Sequence, residues 1–201
     1  MVAVGLLYVG AVLFVNGLML IGVVPGKSGA ILNFFVGAMM VVFPTIILIQ
    51  ANGEPGVVFG AAGLFLFGFT YLYIAIMQVA GISAEGFGWY AVFVAASALV
   101  IGILQFTLVG DPLFGVIWLI WAVLWFMFFL VFALNKMALL RTTGWFTILL
   151  AHITATIPGF LLLTGTYAPS PTNAMIMAAL GVVTLVISIV LGRRAPKLVT
   201  A

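Results

Sequence analysis

The 201-residue chain contains no cysteine, which removes disulfides, thiolate metal sites and cysteine nucleophiles from consideration. It is nearly as poor in charge, with six Lys or Arg, three Asp or Glu and one His. At 4% charged and 67% hydrophobic, it falls far outside the globular range of roughly a quarter charged residues. A soluble fold would have no surface to show water. Glu54, Glu85 and Asp111 all fall between the long apolar runs, so no carboxylate is available at mid-membrane to hold an ion or relay a proton. Ion channels and proton-coupled carriers usually place charged groups or exposed carbonyls there. No Ser-His-Asp set, metal-ligand cluster or phosphate-binding glycine loop occurs, so an enzyme is not expected, nor is a cofactor. The last apolar run lacks the lysine that a retinal-type receptor needs.

What is present is apolar sequence in seven runs, at about 2–24, 28–50, 57–80, 86–108, 112–134, 143–165 and 172–192. Each reaches the roughly 20 residues required to cross a hydrocarbon core of ~30 Å. The runs are continuous and do not alternate, which argues against a membrane barrel. The expected fold is an all-α integral membrane protein of seven transmembrane helices. Gly and Pro punctuate the short connections, such as Pro25-Gly26 and Gly110-Asp111-Pro112. The first run starts at Met1 without a basic stretch or a cleavage-like motif, so a removable signal peptide is not expected.

With the N-terminus outside, Lys27, Lys136, Arg141, Arg193, Arg194 and Lys197 all fall in the cytoplasm, a full positive-inside bias. Six helices would split the cations between the two sides, so charge supports the seventh. The high pI follows from this topology and gives no reason to invoke nucleic acid.

Helices two, four and six open alike. Asn33-Phe34-Phe35, Trp89-Tyr90-Ala91 and Trp145-Phe146-Thr147 begin 56 residues apart each time. A two-helix hairpin used three times in parallel, with a seventh helix added, accounts for that spacing; so does ordinary clustering of aromatics at an interface. Ala91 with Ala95, Gly60 with Gly63 and Ala174 with Ala178 favour close helix contact. Pro44 and Pro158 fall inside helices two and six and predict kinks.

Helix five carries the strongest local signal. Trp118, Trp121 and Trp125 are spaced i, i+3, i+7 on one face, and Phe114 extends the stripe. An indole N–H at mid-membrane wants a partner that lipid cannot supply. Two readings stand: aromatic packing between helices, or a narrow aromatic path whose N–H groups point at an uncharged polar solute. Helix one offers Val2, Leu6, Val9, Leu13 and Asn16 along one stripe, and helix three offers Phe65, Phe69 and Tyr73, followed by Gln78. A buried Asn or Gln serves either as interhelical glue or as a solute contact. His152, the lone histidine, is a functional candidate within helix six, though a neutral imidazole bonded to a neighbour fits the same facts.

Gly5-Leu6-Leu7-Tyr8-Val9-Gly10 through Asn16-Gly17, Asn33-Phe34-Phe35-Val36-Gly37, Leu66-Phe67-Gly68-Phe69-Thr70-Tyr71-Leu72-Tyr73, Trp89-Tyr90 and Trp118-x-x-Trp121-x-x-x-Trp125 resemble the AmiS/UreI family of urea and short-chain amide channels. The resemblance runs in order across six helices. It implies a channel bundle over 1–165, with 166–201 supplying an additional transmembrane helix and a basic tail. It further implies a bacterial inner-membrane hexamer with external N-termini and one pore per protomer, passing urea or small amides passively. A cytoplasmic urease or amidase would be the functional companion. The family's pore-lining positions carry over as Leu6, Val9, Leu13 and Asn16, as Phe69 and Tyr73, and as Trp118, Trp121, Leu124 and Trp125. The acid-gated member of the family has a long histidine-bearing loop between helices two and three. Here that loop is Ala51 to Gly56 without histidine, and Leu150 stands where that member has a helix-six glutamate. A passive channel not gated by external acid is therefore the expectation. The alternatives are a proton-coupled secondary carrier for small amides acting through His152, and a non-transporting scaffold.

Overall fold

The computed structural model describes residues 1–194; Lys197 and the rest of the tail lie outside the described residues. Seven long apolar helices run α1 (Val2–Leu20), α2 (Gly26–Gln50), α3 (Pro55–Ala80), α4 (Glu85–Val109), α5 (Pro112–Phe132), α6 (Met137–Leu163) and α7 (Pro171–Arg193). Their starts are written locally. Glu54 and Asp111 accept the N–H of Val57 and of Phe114, and Ser170 accepts that of Asn173. Each cap is followed by a proline whose missing N–H costs nothing at the first helical position. The chain leaves α3 at Gly81 and α4 at Gly110 with φ of 67° and 78°, a left-handed step open to glycine without penalty.

Short connections make neighbours antiparallel. One end of the bundle, the Met1 end, then carries Glu54, Asp111 and Tyr167. The opposite Lys27 end carries Lys27, Lys136, Arg141 and Arg193. The helix pairs in closest contact are α2 with α3, α4 with α5, and α6 with α1. Every even helix thus packs on the odd helix that follows it, and the last closes onto the first. That is the arrangement a hairpin used three times requires.

Glycines set these pair distances, because lipid gives helices no hydrophobic reason to associate and close backbone approach must do so instead. A Cβ on Gly68 would sit 2.8 Å from the Met40 carbonyl, and one on Gly17 would sit 2.8 Å from that of Gly144. The Met40 carbonyl is the one that Pro44, lacking an N–H, leaves unbonded within α2. α2 nevertheless stays α-helical from Gly26 to Gln50. α6 responds differently to Pro158: the chain just before it, Ala151–Thr156, is wound as a π-helix. α7 packs on α6 and α5, with Gly192 against Thr142 and Gly181 against Ile120.

Candidate permeation path

Residues of α1, α3 and α5 converge on one cavity, to which α2 and α4 also contribute. On α5 the converging face holds Trp118, Trp121 and Trp125, all buried. Phe67 of α3 is their hub. It stacks on Trp118 at 5.3 Å and meets Trp121 and Trp125 edge-on at 4.9 and 5.1 Å. Offset and edge-on pairs of this kind contribute about 0.5–1.5 kcal/mol each beyond area burial. Trp118 packs against Gly63, whose added Cβ would be 3.0 Å from the indole.

Of the two readings of the stripe, the two deepest tryptophans follow the packing one: their indole N–H groups bond within the protein. Trp121 Nε1 donates to Thr154 Oγ1 at 3.0 Å, and Thr154 donates onward to the Leu150 carbonyl at 2.6 Å. Trp125 Nε1 donates to Thr70 Oγ1 at 3.3 Å. Thr70 in turn donates to the Leu66 carbonyl, which also accepts from the Tyr90 hydroxyl at 3.0 Å. Both N–H groups are spent locking the rings to α6 and α3. Trp118 differs: no protein group accepts its N–H among the described residues, and it borders open space.

That open space is one of two cavities on the axis. The first, about 180 Å³ at the Met1 end, is lined by Leu6 and Val9 of α1, Gly63 and Phe67 of α3, and Trp118 and Trp121 of α5. The second, about 260 Å³ at the Lys27 end, is lined by Asn16, Ile74, Gln78, Phe87 and Phe128. Between them lies a plug of buried side chains: Leu13, Phe67, Tyr71, Trp121, Leu124 and Trp125. Among the described residues, only one polar atom in the plug lacks a protein partner. Tyr71, fully buried, presents a hydroxyl with no hydrogen bond. A buried hydroxyl left unsatisfied costs roughly 1–3 kcal/mol, and it is the plug's one group free to bond a small polar guest.

Leu6 and Val9 line the first cavity, and Leu13 is buried one turn further along the same face of α1. Asn16 does two things. It borders the second cavity and forms a reciprocal amide pair with Asn33 of α2, with N···O distances of 2.9 and 2.6 Å. Two expected positions are corrected. Phe69 and Tyr73 face outward at 51% and 36% exposure and line neither cavity; Phe67 and Tyr71 take the axial face in their place. The five aromatics at 65, 67, 69, 71 and 73 supply two helical stripes, and the inner one continues through Ile74 to Gln78. That continuation to a polar residue favours the inner stripe, and contact with other helices decides it. Thr70, Thr154 and Gln105 carried no signal in the sequence, since their roles depend on other helices. His152 is exposed on α6 with its ring 5.3 Å from Phe14, away from both cavities. Among the described residues no three His, Asp or Glu gather as a metal site.

At the Met1 end, Tyr167 from the α6–α7 connection donates to the Asp111 carboxylate, 2.9 Å from either oxygen, and its ring meets Phe114. Burial, with the Asp111 charge beside it, pushes the phenol well above the usual tyrosine range.

Residues 1–166 match the family described as AmiS/UreI family transporter. The chain is 57% identical to the protein named transporter AmiS2 of Rhodococcus erythropolis, over 86% of this chain and 84% of that one. It is 46% identical to a protein of Mycolicibacterium smegmatis named as a transporter of amidate substrates, over 95% and 90%. The acid-activated urea channel of Helicobacter pylori is 32% identical over 81% of this chain and 97% of its own. The crystal structure of the urea channel from that organism superposes with a TM-score of 0.76 at 34% identity, covering 84% of this chain and 100% of the other.

Proposed function

The chain belongs to the AmiS/UreI transporter family, and from that premise we propose that it is a passive membrane channel for urea or short-chain aliphatic amides. It is a multi-pass membrane transport protein and not an enzyme. The observation that carries the reading is the pair of cavities on one axis, separated by an aromatic plug whose single free polar atom is the Tyr71 hydroxyl. A flat neutral molecule loses bulk water on entering the plug, and stripping an amide without compensation costs roughly 2–7 kcal/mol. Trp118 N–H, Tyr71 O–H and the Asn16 amide return part of that cost in sequence along the path. A hydrated ion would find neither a charge nor a ring of carbonyls to replace its shell, so exclusion needs no charged filter.

The substrate path runs from Leu6, Val9 and Trp118 through Leu13, Trp121, Leu124, Trp125 and the α3 pair Phe67 and Tyr71 to Asn16. The Met1 end faces outside and the Lys27 end the cytoplasm of a bacterial inner membrane, following the cations. Residues 1–165 form the conducting bundle and α7 an addition to it. A hexameric ring and a companion urease or amidase follow from the family and belong to the same proposal. External acid does not gate the channel, because the α2–α3 turn at residues 51–54 is too short to form a gate and holds no titrating imidazole. The proton-coupled carrier reading loses its only candidate group, since His152 lies outside the axis.

Stopped-flow shrinkage of proteoliposomes tests this. A channel gives urea and acetamide fluxes linear in concentration and indifferent to a proton gradient. Saturation together with gradient dependence would establish a carrier instead, and no flux above empty liposomes would establish a scaffold.

A further inference from the structure

We propose that Gln105 is a solute-docking residue: its carboxamide, with the Trp118 indole N–H, forms a binding site for primary amides and urea in the cavity at the Met1 end. The wall of that cavity is otherwise apolar; Gln105 and Trp118 bring its free polar side-chain groups. Neither group is engaged elsewhere. Among the described residues no protein atom bonds to the Gln105 side-chain amide or accepts the Trp118 N–H, whereas the Trp121 N–H, in the same cavity wall, is held by Thr154.

The backbone beneath Gln105 is fixed for the purpose. α4 changes from α to π winding at this residue, over Gln105–Val109, and single π turns of this kind occur frequently at functional sites. The Gln105 carbonyl accepts the N–H groups of Gly110 at 2.9 Å and Asp111 at 3.0 Å. The turn therefore closes on Gln105 itself, and its half-buried side chain is left to the cavity.

The chemistry is displayed within the same protein. Asn16 and Asn33 pair amide to amide, each N–H bonded to the other's oxygen at 2.9 and 2.6 Å. A primary amide or urea can make the same two-bond ring with Gln105, giving one N–H and accepting one. Its carbonyl keeps a lone pair for the Trp118 indole, which is donor only. A tertiary amide has no N–H and cannot close the ring. The cavity therefore recognises what the plug must pass, before the solute gives up its water. The inference rests on the channel reading for its physiological meaning but not for its test.

The test uses the whole protein in micelles, labelled with ¹⁵N at glutamine side chains, which occur at Gln50, Gln78 and Gln105. The Gln105 signal is identified by its disappearance in Gln105→Leu. Titration with acetamide should move that signal progressively while Gln50 stays still, and N,N-dimethylacetamide should move it much less. In proteoliposomes, Gln105→Leu should lower acetamide permeability at low concentration at least about threefold, the loss of roughly one neutral hydrogen bond. A Gln105 signal that ignores acetamide, or that responds equally to the tertiary amide, overturns the docking site. So does permeability equal to wild type. Absence of flux in the wild type would overturn the channel reading alone, leaving the labelled-amide titration to decide this one.

Discussion

Replacing Tyr71 by Phe separates the two uses a buried hydroxyl can have. The ring stays in the plug, and the hydroxyl removed has no protein partner. No donor or acceptor is orphaned and an unpaired buried hydroxyl is removed, so stability should hold or rise, by up to roughly 1–3 kcal/mol. If a passing solute uses that hydroxyl at the narrowest point, the barrier rises by one net hydrogen bond, about 0.5–1.5 kcal/mol. At 1.4 kcal/mol per decade this is roughly a two- to twelvefold fall in flux. Tyr90→Phe is the matched control. It removes a hydroxyl of the same kind, but one that is bonded to the Leu66 carbonyl, so it should cost about 0.5–1.5 kcal/mol of stability and change flux less. Melting in detergent and stopped-flow urea efflux from proteoliposomes measure the two effects on the same preparations. Wild-type flux in Tyr71→Phe, or a melting loss equal to that of Tyr90→Phe, would refute the reasoning.

Thr154→Val leaves the Trp121 N–H without its acceptor; we expect a stability loss of about 1 kcal/mol and a looser plug, seen as a higher propionamide-to-urea flux ratio. Asn16→Leu alone should destabilise more than Asn16→Leu with Asn33→Leu, because the single change strands a buried amide; a double-mutant cycle on thermal melting reads the difference. Gly17→Leu drives a side chain into the Gly144 and Ile148 backbone of α6 and should prevent recovery of folded protein, checked by size-exclusion chromatography. Flux should change less than about twofold between pH 5 and 7.5, since His152, Glu54, Glu85 and Asp111 line neither axial cavity. The Tyr167 phenol, raised in the fold, keeps its proton throughout that range. Its contribution is complete below the unfolded value of about 10 and is lost as pH rises beyond it. A steep acid activation in liposomes would contradict the absence of a gate.

Much of this architecture is legible in the residues because lipid imposes few options. Continuous apolar runs of span length can only be helices, and the cap–proline pairs at Glu54-Pro55, Asp111-Pro112 and Ser170-Pro171 mark three of the starts. The α5 stripe could be read because three indoles at i, i+3, i+7 leave no second face to choose. On α3 the aromatics fall at every second position, so two stripes compete, and aromatic spacing alone does not choose between Phe69 with Tyr73 and Phe67 with Tyr71. What decides is contact with other helices: Gly68 must meet Met40, which turns Phe69 outward. The indole partners were illegible for the same reason. Sequence shows that a buried N–H needs an acceptor, but Thr70 and Thr154 lie 55 and 33 residues away and become neighbours only through packing. His152 lies on the outer face of α6, one turn beyond the half-buried Leu149 and two beyond Trp145, and hydropathy does not mark which face of α6 that is.

The cysteine-free chain makes one measurement especially direct. Single cysteines at Leu6 and at Phe69 are each treated with uncharged benzyl methanethiosulfonate, and urea flux is followed in proteoliposomes before and after. An aromatic-walled path between α1, α3 and α5 predicts that the adduct at Leu6→Cys stops flux while that at Phe69→Cys leaves it unchanged. Block at Phe69→Cys with free passage at Leu6→Cys would place the solute elsewhere and contradict the account.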